Sequence, residues 1–172
     1  MISAFYISAI VAVISTVMVI TNRNAVHALL YLIVSLLSVA LVFFSLGAPF
    51  VAALEVIIYA GAIMVLFVFV IMMLNLGTKG ACEERRLSDP RLWVGPVFLS
   101  LILLSELVYI FTRVKGPLTG SVVIGPKEVG ITLLGPYVLG VELASILLLA
   151  GLVGAYHLGR RGGGKEVPGD SY

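Results

Sequence analysis

Leu54-Glu55-Val56-Ile57-Ile58-Tyr59-Ala60-Gly61-Ala62-Ile63-Met64-Val65-Leu66-Phe67-Val68-Phe69-Val70-Ile71-Met72-Met73-Leu74 is an apolar run whose only charged residue is Glu55. As a helix it is long enough to cross a hydrocarbon core of about 30 Å. An ionised Asp, Lys or Arg at the centre of such a helix costs about 2.5–3.5 kcal/mol on insertion scales, and glutamate is expected to behave similarly. A membrane chain that keeps such a group usually turns it toward a partner, a water pocket or an ion path. Tyr59 follows one helical turn later, and then come the small residues Ala60, Gly61 and Ala62. A polar pair thus sits beside a weak point in the helix. The run points to proton or ion handling rather than plain anchoring.

The rest of the chain fits the same setting. Of its 172 residues, 60% are hydrophobic and 12% charged, and a soluble domain carries about twice that charged fraction. Apolar runs of membrane-spanning length recur, which predicts an all-α, polytopic integral membrane protein with five transmembrane helices. The spans are 2–20, 26–46, 50–76, 91–111 and 136–158. Asn24 is placed to cap the second helix, and Gly47-Ala48-Pro49 ends it. Asn75 and Gly77 stop the third. Asp89-Pro90 reads as an N-cap with proline at the first helical position, and Gly95-Pro96 as a candidate kink. The segment 113–134 is the longest polar stretch, within which Ser121-Val122-Val123-Ile124 could form a short strand or hairpin. Residues 1–160 then form one transmembrane domain, and 161–172 a mobile tail. The third span, at about 1.5 Å per residue, would measure roughly 40 Å, so tilt or a local bulge near 59–61 must absorb the excess.

Charge excludes some functions and orients the rest. A net charge of +2, scattered along the chain, gives no footprint for nucleic acid. Cys82 is the single cysteine, so no internal disulfide or CxxC site exists. The first apolar run lacks a basic leader and an Ala-x-Ala site, and reads as a mature helix. With five spans, Arg23, Lys79, Arg85, Arg86, Arg91, Arg160, Arg161 and Lys165 share one side, and Arg113, Lys115 and Lys127 the other. The positive-inside rule then puts the N-terminus outside and the C-terminus in the cytoplasm.

Glu55, Glu106 and Glu142 all fall inside apolar spans, at comparable depth in the outer half. They could cluster, face separate partner chains, or serve only to satisfy a neighbour. Intramembrane carboxylates are common members of proton relays. Tyr59 can share a helix face with Glu55. Gly61 lowers helix stability by about 1 kcal/mol relative to alanine, which suits a hinge or a close helix contact. Ala150 with Gly154, and Gly151 with Ala155, are small-xxx-small pairs that favour close helix contact. His27 and His157, near span ends, read as interfacial polar residues.

No GxGxxG, P-loop, or haem, zinc or iron–sulfur ligand pattern is present, so a self-contained redox enzyme is not expected. Val26-His27-Ala28-Leu29-Leu30-Tyr31-Leu32, Phe43-Phe44-Ser45-Leu46-Gly47-Ala48 and the run from Glu55 to Leu76 resemble the subunit J family of bacterial NADH-quinone oxidoreductase, respiratory complex I. So do Val129-Gly130-Ile131-Thr132-Leu133-Leu134-Gly135-Pro136-Tyr137-Val138-Leu139 and Val141-Glu142-Leu143-Ala144-Ser145. The mitochondrial counterpart is membrane subunit 6. The likeness runs from the first span to about Arg160, and the most specific part is Tyr59-Ala60-Gly61-Ala62-Ile63-Met64-Val65-Leu66-Phe67.

The resemblance implies a multi-pass subunit of the bacterial inner membrane. It would lie between the quinone module and the antiporter-like subunits and contribute to a proton-translocating NADH:quinone oxidoreductase. It implies no cofactor on this chain; FMN, iron–sulfur clusters and quinone would lie on other subunits. It also implies a third helix that switches between α and a π-bulge to gate a water path. That switch would map onto Tyr59, Gly61 and the following Ala62, Ile63, Met64 and Val65. Taken with the intramembrane carboxylates, the candidate proton-path or gating residues are Glu55, Tyr59, Gly61, Met64, Val65 and Glu142. The alternatives are a purely structural assembly subunit, or the equivalent subunit of a related membrane hydrogenase or antiporter complex.

Overall fold

A computed structural model describes residues 2–22, 24–73, 90–113 and 123–160. Within them the chain is helical, in the order α1 (Ile2–Thr21), α2 (Ala25–Ser45), α3 (Pro49–Leu54), a π-helical stretch (Glu55–Ile63), α4 (Met64–Met73), α5 (Pro90–Arg113), α6 (Pro126–Leu134) and α7 (Val138–Gly159). Five runs are long and apolar enough to cross a membrane: Ile2–Thr21, Ala25–Ser45, Pro49–Met73, Trp93–Thr112 and Val138–Gly159. The chain is a multi-pass membrane protein.

The helix boundaries follow their local chemistry. Asn24 caps α2 from extended backbone, accepting the Val26 N–H at 3.0 Å. The other end of α2 closes with Gly47 at φ 84°, a left-handed conformation that costs glycine least. There the Gly47 N–H donates to Phe44 and the Ala48 N–H to Phe43, each at 3.1 Å, which is the two-bond Schellman closure. The freed Gly47 carbonyl accepts the Ile124 N–H at 3.0 Å. Pro49, which cannot donate, starts the next helix. Pro90 likewise opens α5, which continues past Pro96.

Two differences from the sequence expectation stand out. Residues 126–134, read there as part of a polar loop, form helix α6. A turn joins it to α7, with the Tyr137 N–H reaching the Thr132 carbonyl and the Val138 N–H that of Gly135. Gly135 is required in this turn, since a Cβ there would stand 2.8 Å from the Ile131 carbonyl. Residues 123–125 are irregular, and no strand occurs among the described residues. Positions 121 and 122, the Cys82 loop, Asp89 and the tail 161–172 lie outside the described residues.

The chain divides into two compact units, Met1–Gly125 and Pro126–Tyr172. In the first, α1 lies against α2, α2 also meets the third span, and α5 packs on both α1 and α2. Its apolar core is Val11, Tyr31, Val34, Leu99 and Leu103, with Val19, Leu41 and Ile102 against it. In lipid, apolar surface alone gives helices no reason to associate, so close backbone approach and interhelical hydrogen bonds must do so. The α1–α2–α5 contact is built that way. The buried positions of α1 are Ala4, Ser8, Val11 and Ser15, a heptad-like stripe of mostly small residues. Gly95 of α5 admits the Tyr31 ring of α2, whose hydroxyl any Cβ at that position would overlap.

Candidate functional site

The third span is wound in two ways. It begins as α3, becomes π-helical over Glu55–Ile63, and returns to α-helix at Met64. The closing bond shows the wider register: the Met64 N–H reaches the Tyr59 carbonyl, five residues back. Such stretches are rare, usually limited to one turn, and concentrated at functional sites. This answers the excess length of the span with a change of winding. The wide region starts four residues before Tyr59 and ends before Met64, whereas the sequence placed it at 59–65.

Gly61 lies inside the π-helical stretch. A Cβ there would meet the Val56 carbonyl of the same helix at 3.2 Å, with no other atom within 4 Å among the described residues. Among the described residues, its small size therefore serves the helix's own backbone rather than a neighbouring helix. Glu55 is half-buried and Tyr59 exposed at the surface of the unit. Neither side chain makes a hydrogen bond among the described residues, so the polar pair shares a helix without being hydrogen-bonded to each other. Met64 is buried, at 1% exposure, where α4 resumes, and Val65 beside it is exposed.

The three intramembrane carboxylates occupy different settings. Glu106 on α5 is 7% exposed and turns toward α1, where the Ser8 hydroxyl donates to its Oε2 at 2.8 Å. Between α5 and the start of the third span lies an apolar cleft of about 520 Å³, edged by Ala52, Val56, Leu103 and Leu107. Glu142 belongs to the second unit and is exposed on α7, its carbonyl accepting from Ser145 at 2.7 Å. No residue of α7 is buried. Gly151 and Gly154 have open space beside them, so the small-xxx-small pairs meet no helix of their own unit.

Sequence reasoning missed a polar seam. Ser8, Ser15 and Ser38 are fully buried, and the Thr16 and Ser35 hydroxyls meet at 2.8 Å across α1 and α2. The seven-residue spacing of Ser8 and Ser15 was the available signal. His27, expected at an interface, is instead 1% exposed. Its ring lies edge-on to Trp93 at 6.3 Å, and neither ring nitrogen has a hydrogen-bond partner. It is shut in by the packing of α5 on α2, a tertiary contact that a lone histidine in sequence does not announce.

Comparison with known proteins adds an independent line. The family described as NADH-ubiquinone/plastoquinone oxidoreductase chain 6 matches residues 15–158. NADH-quinone oxidoreductase subunit J of Pseudomonas aeruginosa is 60% identical over 159 residues, covering 92% of this chain and 96% of that protein. The protein of the same name in Escherichia coli K12 is 57% identical over 164 residues, covering 95% and 89%. That of Buchnera aphidicola from Baizongia pistaciae is 42% identical over 158 residues, covering 91% and 96%.

Proposed function

The chain belongs to the NADH-ubiquinone/plastoquinone oxidoreductase chain 6 family, and from that membership we propose that it is a membrane-arm subunit of a proton-translocating NADH-quinone oxidoreductase. In this reading it helps couple quinone reduction to proton movement and carries no redox centre itself. NADH, FMN, iron–sulfur and quinone chemistry lie on the other subunits, and its neighbours are the quinone module and the antiporter-like subunits. The residues assigned to the proton path or its gate are Glu55, Tyr59, Gly61, Met64, Val65 and Glu142. The uncovered face of α7 supports a position against other subunits. The charge asymmetry of the loops supports a bacterial inner-membrane orientation with the C-terminus in the cytoplasm.

The observation that carries the mechanism is the π-helical stretch Glu55–Ile63 in the third span. A π segment is an α-helix with its hydrogen bonds shifted by one residue. Returning to α register rotates everything on one side of it relative to the other. Here that rotation moves Glu55 and Tyr59 relative to Met64 and Val65, which can open or close a water path past them. The rival reading, a purely structural subunit, leaves the winding fixed.

The test has two stages. The tagged chain, purified in mild detergent, is expected to co-isolate with a large NADH-oxidising assembly; its isolation alone would overturn the reading. Structures of that assembly in resting and turning-over states are then expected to differ between π and α winding at 55–63. The same winding in every state would overturn the switch and leave the structural subunit.

A further inference from the structure

Glu106 plays no part in the proposed gate and lies outside the runs that carry the family resemblance, yet it is the most enclosed carboxylate described. It sits between α1 and α5 with 7% of its surface exposed. One oxygen, Oε2, accepts the hydroxyl of Ser8, itself wholly buried, at 2.8 Å. The other, Oε1, is buried and has no partner. Beside the carboxyl opens a cleft of about 380 Å³, lined by Ser3, Ile7, Ile102, Ser105, Glu106 and Tyr109.

These facts constrain one another. As a carboxylate, Glu106 leaves Oε1 without a donor. As a carboxylic acid protonated at Oε1, it leaves that O–H without an acceptor. Buried polar atoms rarely stay unpaired in either form. The adjoining cleft is the space that can supply the missing partner. Its volume far exceeds the roughly 10–15 Å³ of such space that one water needs, and Ser3 and Ser105 are among its lining residues, the Ser105 hydroxyl donating to the Ile102 carbonyl at 2.7 Å. The terminal torsion of a glutamate is soft, so a small rotation turns Oε1 into the cleft while Ser8 keeps hold of Oε2.

We propose that the cleft between α1 and α5 is a hydrated proton-exchange site in which Glu106 binds and releases a proton. In the forward step a protonated water in the cleft gives its proton to Oε1, leaving a neutral carboxylic acid and a neutral water. The return step reverses it. The serine proton stays on Ser8 throughout, so Ser8 is a positioning residue. The site rests on the reading that the chain works within a proton-translocating complex, and it adds a carboxyl to those at Glu55 and Glu142.

The test uses the intact complex in native membranes and a hydrophobic carbodiimide, which modifies protonated carboxyls within membranes. Modified peptides are then quantified by mass spectrometry. Co-isolation with NADH oxidation is read first; its absence overturns the parent reading, not the site. With the complex intact, Glu106 is expected to be modified. Its modification should fall when Ser105→Leu fills the cleft, and Ser105→Val serves where leucine impairs assembly. Glu106→Gln is expected to lower proton pumping per turnover. An unmodified Glu106 would overturn the site, and so would modification that a filled cleft does not reduce. An unchanged pumping-to-turnover ratio in Glu106→Gln would overturn its proton role.

Discussion

The α1–α2–α5 contact and the third span are equally apolar to the eye but are held in opposite ways. In the first, small residues let helices approach, as Gly95 does beneath the Tyr31 ring, and side-chain hydrogen bonds join them, from the Ser8 hydroxyl to the Glu106 carboxyl and between the Thr16 and Ser35 hydroxyls. In the second, π-helical residues Glu55–Ile63 bury no side chain within the unit. The tightest approach at Gly61 is to its own backbone. Under the proposed gating the difference separates two jobs: the first region keeps one arrangement, whereas the π-helical stretch, which rests against α2 without enclosing a side chain, exchanges one register for another.

The sharpest way to break this contrast is at Gly95. Gly95→Val drives side-chain atoms into the Tyr31 hydroxyl, and overpacking of this kind costs about 1–3 kcal/mol. The expected outcome is loss of most of the assembled complex on native gels. Gly95→Ala with Tyr31→Phe should recover more than Gly95→Ala alone, because the offending hydroxyl is gone. Full assembly of Gly95→Val would mean that the α2–α5 contact is not locked.

Gly61 is the counterpart in the loosely held region. Gly61→Ala and Gly61→Val place a Cβ against the Val56 carbonyl in the π register and favour the α register instead. A bias of about 1 kcal/mol, the usual glycine-to-alanine difference in a helix, changes a two-state ratio about fivefold. NADH-quinone turnover is expected to fall by about that factor while the complex still assembles. Loss of assembly together with turnover would place Gly61 at a close contact with another subunit. Normal turnover and pumping would support neither role.

The smallest effects are expected at the carboxylates. Glu55→Gln should lower coupled turnover modestly, since Glu55 makes no hydrogen bond among the described residues that its loss would break. Glu55→Gln with Glu142→Gln should lose more than the two single changes predict, if both serve one path. Turnover and proton pumping in membranes, normalised to assembled complex, measure this. Wild-type values in the double variant would leave both as groups that satisfy neighbouring chains.

Helix ends were the most legible part of this molecule. Asn24, Gly47, Pro49 and Pro90 each act within a few residues, through caps and backbone limits that sequence displays directly. The helix 126–134 was hidden by its glycine and charged residues, which read as a loop. The excess length of the third span was legible and so was the need to absorb it, but the wide winding begins at Glu55 rather than at Tyr59. The pairing of Glu106 with Ser8 spans 98 positions, and no local pattern predicts which helix a lone carboxylate will face.

The sequence by itself determined the solvent, the number of spans and the family. Apolar length and the scarcity of charge act additively along a chain, and a bilayer leaves the backbone little choice but helix. Only the tertiary structure decided which polar groups are enclosed. It put His27 against Trp93, Glu106 against Ser8, and left Glu55 without a partner among the described residues. The reason is that hydrophobicity fixes that a helix lies in the membrane but not its rotation about its own axis. That rotation is set by where small residues let two backbones meet, which is a property of pairs of helices and of no single one.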